Sequence, residues 1–177
     1  RCYMSEENLP FDVEKLACLL GEKWLLLVRT PSRSAELPED TENIRFISNL
    51  DMNEIENFLV ADILISDYHP IIHLFNEYQK PVVLYQYDYD KFISTHKERR
   101  KELEKLANNP YTATRESHLY NLDWKNICQS ASLALVPSEN WAYQNIKQKL
   151  GIPEDKKVIL YAPTYRERGP ISLPFNP

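Results

Sequence analysis

The sequence predicts an α/β fold built on a parallel sheet, and three observations carry that prediction. The strand candidates are continuous apolar runs, as strands buried on both faces require. Helix and strand patterns alternate from residue 11 to residue 87. Polar or proline-containing turns separate the elements, which suits right-handed crossovers between parallel strands.

The first helix lies between Phe11 and Gly21, where Val13, Leu16, Ala17 and Leu20 recur at helical spacing. Asp12 is its N-cap candidate and Gly21 its stop. Trp24 to Arg29 reads as a buried strand, and residues 30–43, with Pro31 and Pro38, as a loop. Ile44 to Ile47 is a short strand. Asp51 is the expected cap of a helix over Asn53 to Val60. Ile63 to Ile65 is a strand ending at Ser66-Asp67-Tyr68. A helix then starts at Pro70, a residue tolerated in a first turn. Pro81 to Tyr85 is the next strand.

Residues 91–107 read as charged and helical, and 108–122 as a connector. Asp123 to Leu135 is a helix candidate with Trp124, Ile127, Ala131 and Ala134 on one side. Ser138 is the cap candidate of a helix over Glu139 to Leu150, with Gly151 as its stop. Val158 to Tyr161 is the last strand, followed by Ala162-Pro-Thr-Tyr-Arg166. The organisation read from this pattern has three parts. Residues 1–107 form an α/β domain, 108–138 a connector, and 139–177 a helix and strand that complete the sheet or start a second module.

Composition excludes several classes. Hydrophobic residues make up 43% and charged residues 27%, ordinary values for a globular chain of 177 residues. The balance of 21 basic against 26 acidic residues, net −5, argues against nucleic acid as a partner. With Gly 3 there is no room for a glycine-rich phosphate loop, so a phosphate site must use side chains and helix starts. Cys2, Cys18 and Cys128 have no zinc-ligand spacing. No metal or cofactor is expected. The longest apolar stretch, Trp24 to Val28, is too short to span a bilayer, and no signal peptide is visible. Arg1 in place of Met reads as a fragment or a processed chain.

Ligands of open parallel sheets bind beyond the carboxyl ends of the strands. Those ends carry Arg29, then Ser66-Asp67-Tyr68-His69, then Tyr85-Gln-Tyr-Asp88, then Thr164-Tyr165-Arg166. Arginines, hydroxyls and the free N–H groups expected at the Pro70 helix suit a phosphate or diphosphate, whose departure they would stabilise. Each residue has a plainer reading beside this one. Arg29 and Arg166 are also ordinary surface residues, and Asp67 also a helix cap. His69 is an acid/base group or an exposed turn residue. His73 reads as a packed histidine, and the His69/His73 pair lacks a third metal ligand. Asp88 and Asp90 with Tyr85, Tyr87 and Tyr89 would grip a sugar or nucleotide, or form a polar turn. The run Lys97 to Glu102 is a solvated face or an anionic-lipid contact.

Three segments resemble one family. Ala61-Asp-Ile-Leu-Ile-Ser-Asp-Tyr68 with Lys80-Pro-Val-Val-Leu-Tyr-Gln-Tyr-Asp88 is the first. Leu150-Gly-Ile-Pro-Glu-Asp-Lys-Lys-Val-Ile-Leu-Tyr-Ala-Pro-Thr-Tyr-Arg166 is the second, and Leu9 to Leu16 with Leu25 to Arg29 the third. Together they resemble the CDP-glycerol glycerophosphotransferases of teichoic acid synthesis. The resemblance implies a Rossmann-like domain equivalent to the C-terminal, donor-binding half of a GT-B fold. It implies transfer of glycerol phosphate from CDP-glycerol to a lipid-linked teichoic or capsular polymer. It implies a cytoplasmic protein, peripheral at the inner face of the membrane.

Carried over to this chain, Arg29, Ser66, Asp67, Tyr68, His69, Thr164 and Arg166 would surround the donor, and none of them is assigned as a catalytic residue. The other partners the reading admits are the polymer acceptor, met through the absent half, the membrane surface and a second copy of the chain. The motifs stand in altered order, with the 150–166 segment after the 61–88 segment instead of before it. His69-Pro70 stand where the family usually has serines, and Arg29-Thr30-Pro31 lacks the family's histidine. The alternative is a degenerate, non-catalytic module acting in binding or scaffolding.

Overall fold

The computed structural model describes residues 11–30, 39–48, 52–109, 112–113, 119–131 and 141–163. Its elements are α1 (Val13–Leu20), β1 (Trp24–Thr30), β2 (Ile44–Ser48), α2 (Glu54–Val60), β3 (Ile63–Ser66), α3 (Ile71–Glu77), β4 (Val82–Leu84), α4 (Tyr89–Thr95), α5 (Arg100–Ala107), β5 (Thr112–Ala113), α6 (Trp124–Ser130), α7 (Trp141–Lys149) and β6 (Lys157–Tyr161). The six strands form one sheet in the order β2-β1-β6-β3-β4-β5, with every pair parallel. The α/β expectation and its Rossmann-like form hold.

The last strand in sequence lies near the middle of the sheet. β6 pairs with β1 through Val28 and Tyr161 and with β3 through Ile65 and Tyr161. Counting β6 as the first strand, and the others in chain order after it, turns the arrangement into 3-2-1-4-5-6. This is the order of doubly wound dinucleotide-binding sheets. The point where the order reverses then falls between β6 and β3.

Helices cover both faces, which explains the unbroken apolar strands. In β1, Leu25 and Leu27 face a core with Phe58, Ile72, Phe75, Leu103 and Ile146. Trp24, Leu26 and Val28 face the opposite core with Leu16, Ala17 and Trp124. Burying a Leu or Val side chain fully contributes about 1.5–3 kcal/mol. Both faces of these strands therefore need apolar residues.

Local chemistry sets the helix ends. Asp12 accepts from the Lys15 N–H and caps α1, and Gly21 ends it at φ 78°. That left-handed conformation suits glycine. The expected cap of α2, Asp51, lies outside the described residues. Asn53 fills the role, with Glu56 completing a reciprocal capping box. Ser138, the expected cap of α7, also lies outside them.

The charged stretch 91–107 is helical, though not continuous. It breaks at His96 into α4, a 3-10 turn over Lys97–Arg99, and α5. The supposed connector carries β5, which extends the sheet beside β4 at Val82 and Val83. Two residues are too few for a hydrophobic period to show. No described helix is long and apolar enough to cross a membrane.

Candidate functional site

The carboxyl edge of the sheet gathers Arg29 from the end of β1, His69 from beyond β3 and Glu54 from the start of α2. Each sits there because a βα crossover delivers strand ends and helix starts to the same edge. Arg29 is half-buried, and its Nε has no hydrogen-bond partner among the described residues. Burial lowers its affinity for a proton, and the nearby Glu54 charge partly restores it.

The His69 side chain is 13% exposed, so it is no exposed turn residue. Its Nδ1 accepts the Ile71 N–H at 3.2 Å. A neutral ring then carries its proton on Nε2, the nitrogen 3.7 Å from Glu54 Oε1. Burial and the Arg29 charge lower the His69 pKa, against smaller opposing effects of Glu54 and Asp67.

The free N–H groups expected at the Pro70 helix are absent. Pro70 has none, Ile71 donates to His69 Nδ1, Ile72 to the His69 carbonyl and His73 to the Pro70 carbonyl. Pro70 occupies the cap position, so α3 starts at Ile71. Asp67 is not the helix cap either. Its Oδ1 accepts the Tyr68 N–H at 2.6 Å, and its carbonyl accepts from Gln86 Nε2 at 3.0 Å.

Ser66 and Tyr68 lie beneath this surface. Ser66 is fully buried, and its Oγ donates to the Ala162 carbonyl at 2.6 Å, tying β3 to the end of β6 across the order-reversal point. Tyr68 is buried and stacks on Phe92 with ring centroids 3.7 Å apart, while its hydroxyl donates to Asp88 at 3.1 Å. Phe92 stacks in turn on His96 at 4.3 Å, and the Arg99 guanidinium lies over Phe92. Thr164 and Arg166 lie outside the described residues. Two cavities, about 410 and 290 Å³, lie away from this set, one along α7 and the turn into β6, the other beside Arg45 and Lys149.

His73 is not the packed histidine its apolar neighbours suggest. Its side chain is 56% exposed and pairs with Glu102 at 3.2 Å. The His69/His73 pair is thus divided between two carboxylates on different helices. Sequence reasoning missed Glu54. The signal was present, because a residue in the first turn of a crossover helix is delivered to the carboxyl edge.

The family model for CDP-Glycerol:Poly(glycerophosphate) glycerophosphotransferase matches residues 1–134 and, separately, 133–176. The chain belongs to this family. It is 34% identical over 91 residues to the teichoic acid glycerol-phosphate primase of Bacillus spizizenii, a match covering 50% of this chain and 23% of that protein. The chain therefore spans well under two thirds of the length of that relative. No solved structure gives a significant match.

Proposed function

We propose that this chain is the donor-binding part of a glycerophosphotransferase that moves glycerol phosphate from CDP-glycerol to a lipid-linked teichoic or capsular polymer. One observation carries the proposal. Arg29, half-buried at the carboxyl edge and without a partner for its Nε, stands beside a neutral His69 at the doubly wound ligand position. Family membership and the primase relative support the same reading.

In the proposed reaction an acceptor hydroxyl bonds to the phosphorus that carries glycerol. The bridging P–O bond breaks, and CMP leaves with the electron pair. The hydroxyl proton passes to a base outside this chain, in an acceptor-binding half. Negative charge gathers on the leaving phosphate. Arg29, with Arg166 as a second cation and His69 Nε2–H as a neutral donor, would stabilise it there. Ser66, Asp67 and Tyr68 would act from below by holding the β3 end, and Thr164, which follows β6 in the sequence, would contact the donor.

The proposal extends to a GT-B arrangement with that second half and to peripheral contact with the inner membrane face. It also includes an altered order of the family's motifs. The sheet supports this, since β6 takes the first-strand position while coming last in the chain.

The test is calorimetric titration of the folded 177-residue chain with CDP-glycerol, CDP and glycerol phosphate. Saturable CDP-dependent binding is expected, reduced about tenfold or more in Arg29→Ala and Arg166→Ala, since a charge-assisted contact is worth about 1.5–3 kcal/mol. Unchanged affinity in both variants would sink the site assignment. A folded chain that binds none of the three ligands would instead be a non-catalytic relative that binds or scaffolds.

A further inference from the structure

The donor site carries an acidic residue that binding a phosphate alone does not explain. Glu54 is in the first turn of α2, yet it takes no part in the capping box, which Asn53 and Glu56 complete. Its side chain is 60% exposed, and His69 Nε2 is 3.7 Å from its Oε1, beyond hydrogen-bond length. No described residue donates a hydrogen bond to it. Glu54 nevertheless lies close enough to influence both Arg29 and His69.

We infer that Glu54 is a specificity-determining residue, accepting a hydroxyl of the ligand while Arg29 and His69 take its phosphoryl oxygens. This rests on the donor-site reading above. The donors and acceptors of the three side chains decide what each can take. Arg29 and the His69 Nε2–H offer only donors, which match phosphoryl oxygens. A carboxylate offers only acceptors, so it repels a bare phosphate and matches a group with an O–H to give. A site with both, side by side, selects a phosphate ester carrying free hydroxyls close to the phosphoryl group. Two parts of a nucleotide-activated polyol have that chemistry, the ribose and the polyol itself.

The experiment compares affinities of the folded chain and its Glu54→Ala and Glu54→Gln variants for three probes. Inorganic pyrophosphate has no carbon-bound hydroxyl, CDP has the ribose hydroxyls, and CDP-glycerol has both sets. Glu54→Ala leaves the capping box intact, so the variant is expected to fold. It should weaken at least one hydroxyl-bearing probe by about tenfold, the worth of a hydrogen bond to a charged group. It should leave pyrophosphate unchanged or bound more tightly. Glu54→Gln keeps an acceptor oxygen and should recover part of the loss.

Weakening of CDP assigns the ribose as the group recognised, and weakening of CDP-glycerol alone assigns the glycerol. Equal tightening of all three probes would make Glu54 a mere countercharge and overturn the inference. So would unchanged affinities in Glu54→Ala when Arg29→Ala loses binding, and in that case the donor-site reading survives. If the unaltered chain binds no probe, that reading falls and takes this inference with it.

Discussion

At the amino edge of the sheet three buried lysines each bond two acceptors, whereas at the carboxyl edge Arg29 keeps a buried Nε without one among the described residues. Lys80 Nζ donates to the Phe58 and Ala61 carbonyls at 2.6 and 2.7 Å, closing the last turn of α2. A cation there also meets the negative end of the helix dipole. Lys147, 1% exposed, donates to the Glu154 and Lys156 carbonyls, and Lys156 to the Glu42 carbonyl and Asn43. Asp62 accepts from Tyr143 at 3.0 Å and the Val158 N–H at 2.8 Å. Arg29, by contrast, keeps a buried Nε without a partner among the described residues, and buried Gln86 Oε1, beyond the end of β4, has none there either. A buried polar atom left unmade costs about 1–3 kcal/mol. The lysine and Asp62 bonds therefore tie the amino edge together, whereas the Arg29 Nε at the carboxyl edge is open to a ligand.

Breaking the amino edge should have the largest effect on folding. Asp62→Ala strips the acceptor from the Tyr143 hydroxyl and the Val158 N–H and removes the negative charge facing Lys80 and Lys147. A loss of about 3–5 kcal/mol is expected, as for a broken buried pair, read by denaturant unfolding. A loss under about 1 kcal/mol would show that the network is not structural.

Ser66→Ala should come next. It removes the bond to Ala162 and leaves that carbonyl unpaired, at a cost of about 1–3 kcal/mol. Any loss of CDP affinity should be smaller than that of Arg29→Ala, because Ser66 acts through the strand end. Equal losses of affinity would place the Ser66 hydroxyl in direct ligand contact.

The pH dependence separates the two edges further. Burial lowers the Lys80 pKa to about 8. In the unfolded chain Lys80 holds its proton to higher pH, so stability should rise with pH from about 8 toward the ordinary lysine value. Lys80→Met should lose that rise, and an unchanged slope would mean that Lys80 is not the titrating group. His69, also lowered, behaves alike at lower pH. The unfolded chain takes up the His69 proton first, so stability should fall as pH drops below about 6.5 and level off once folded His69 is protonated. His69→Gln should remove that component.

The smallest effect is expected at the solvated pair of His73 and Glu102. Glu102→Gln should change stability by about 0–1 kcal/mol. A larger loss would show the Arg99 side of Glu102 to be structural, since Arg99 pairs with the same carboxylate at 3.2 Å.

The residues themselves determined the element types. Trp24 to Arg29 is apolar at every position except its end, which only a strand covered on both faces can use. Asp12 and Gly21 fixed both ends of α1, because capping is local chemistry within a few residues. The strand ends that carry Arg29 and His69 were legible for the same reason.

Order in space was not legible, since pairing depends on contacts far apart in the chain. Only the tertiary structure put β6 between β1 and β3 and added β5 at the edge beside β4. Only it showed His69 satisfying the Ile71 N–H, and so spending the helix start that the sequence offered to an anion. Glu54 came to the site in the same way. Its position is ordinary in sequence, and its role arises because a crossover carries the start of α2 across to the ends of β1 and β3.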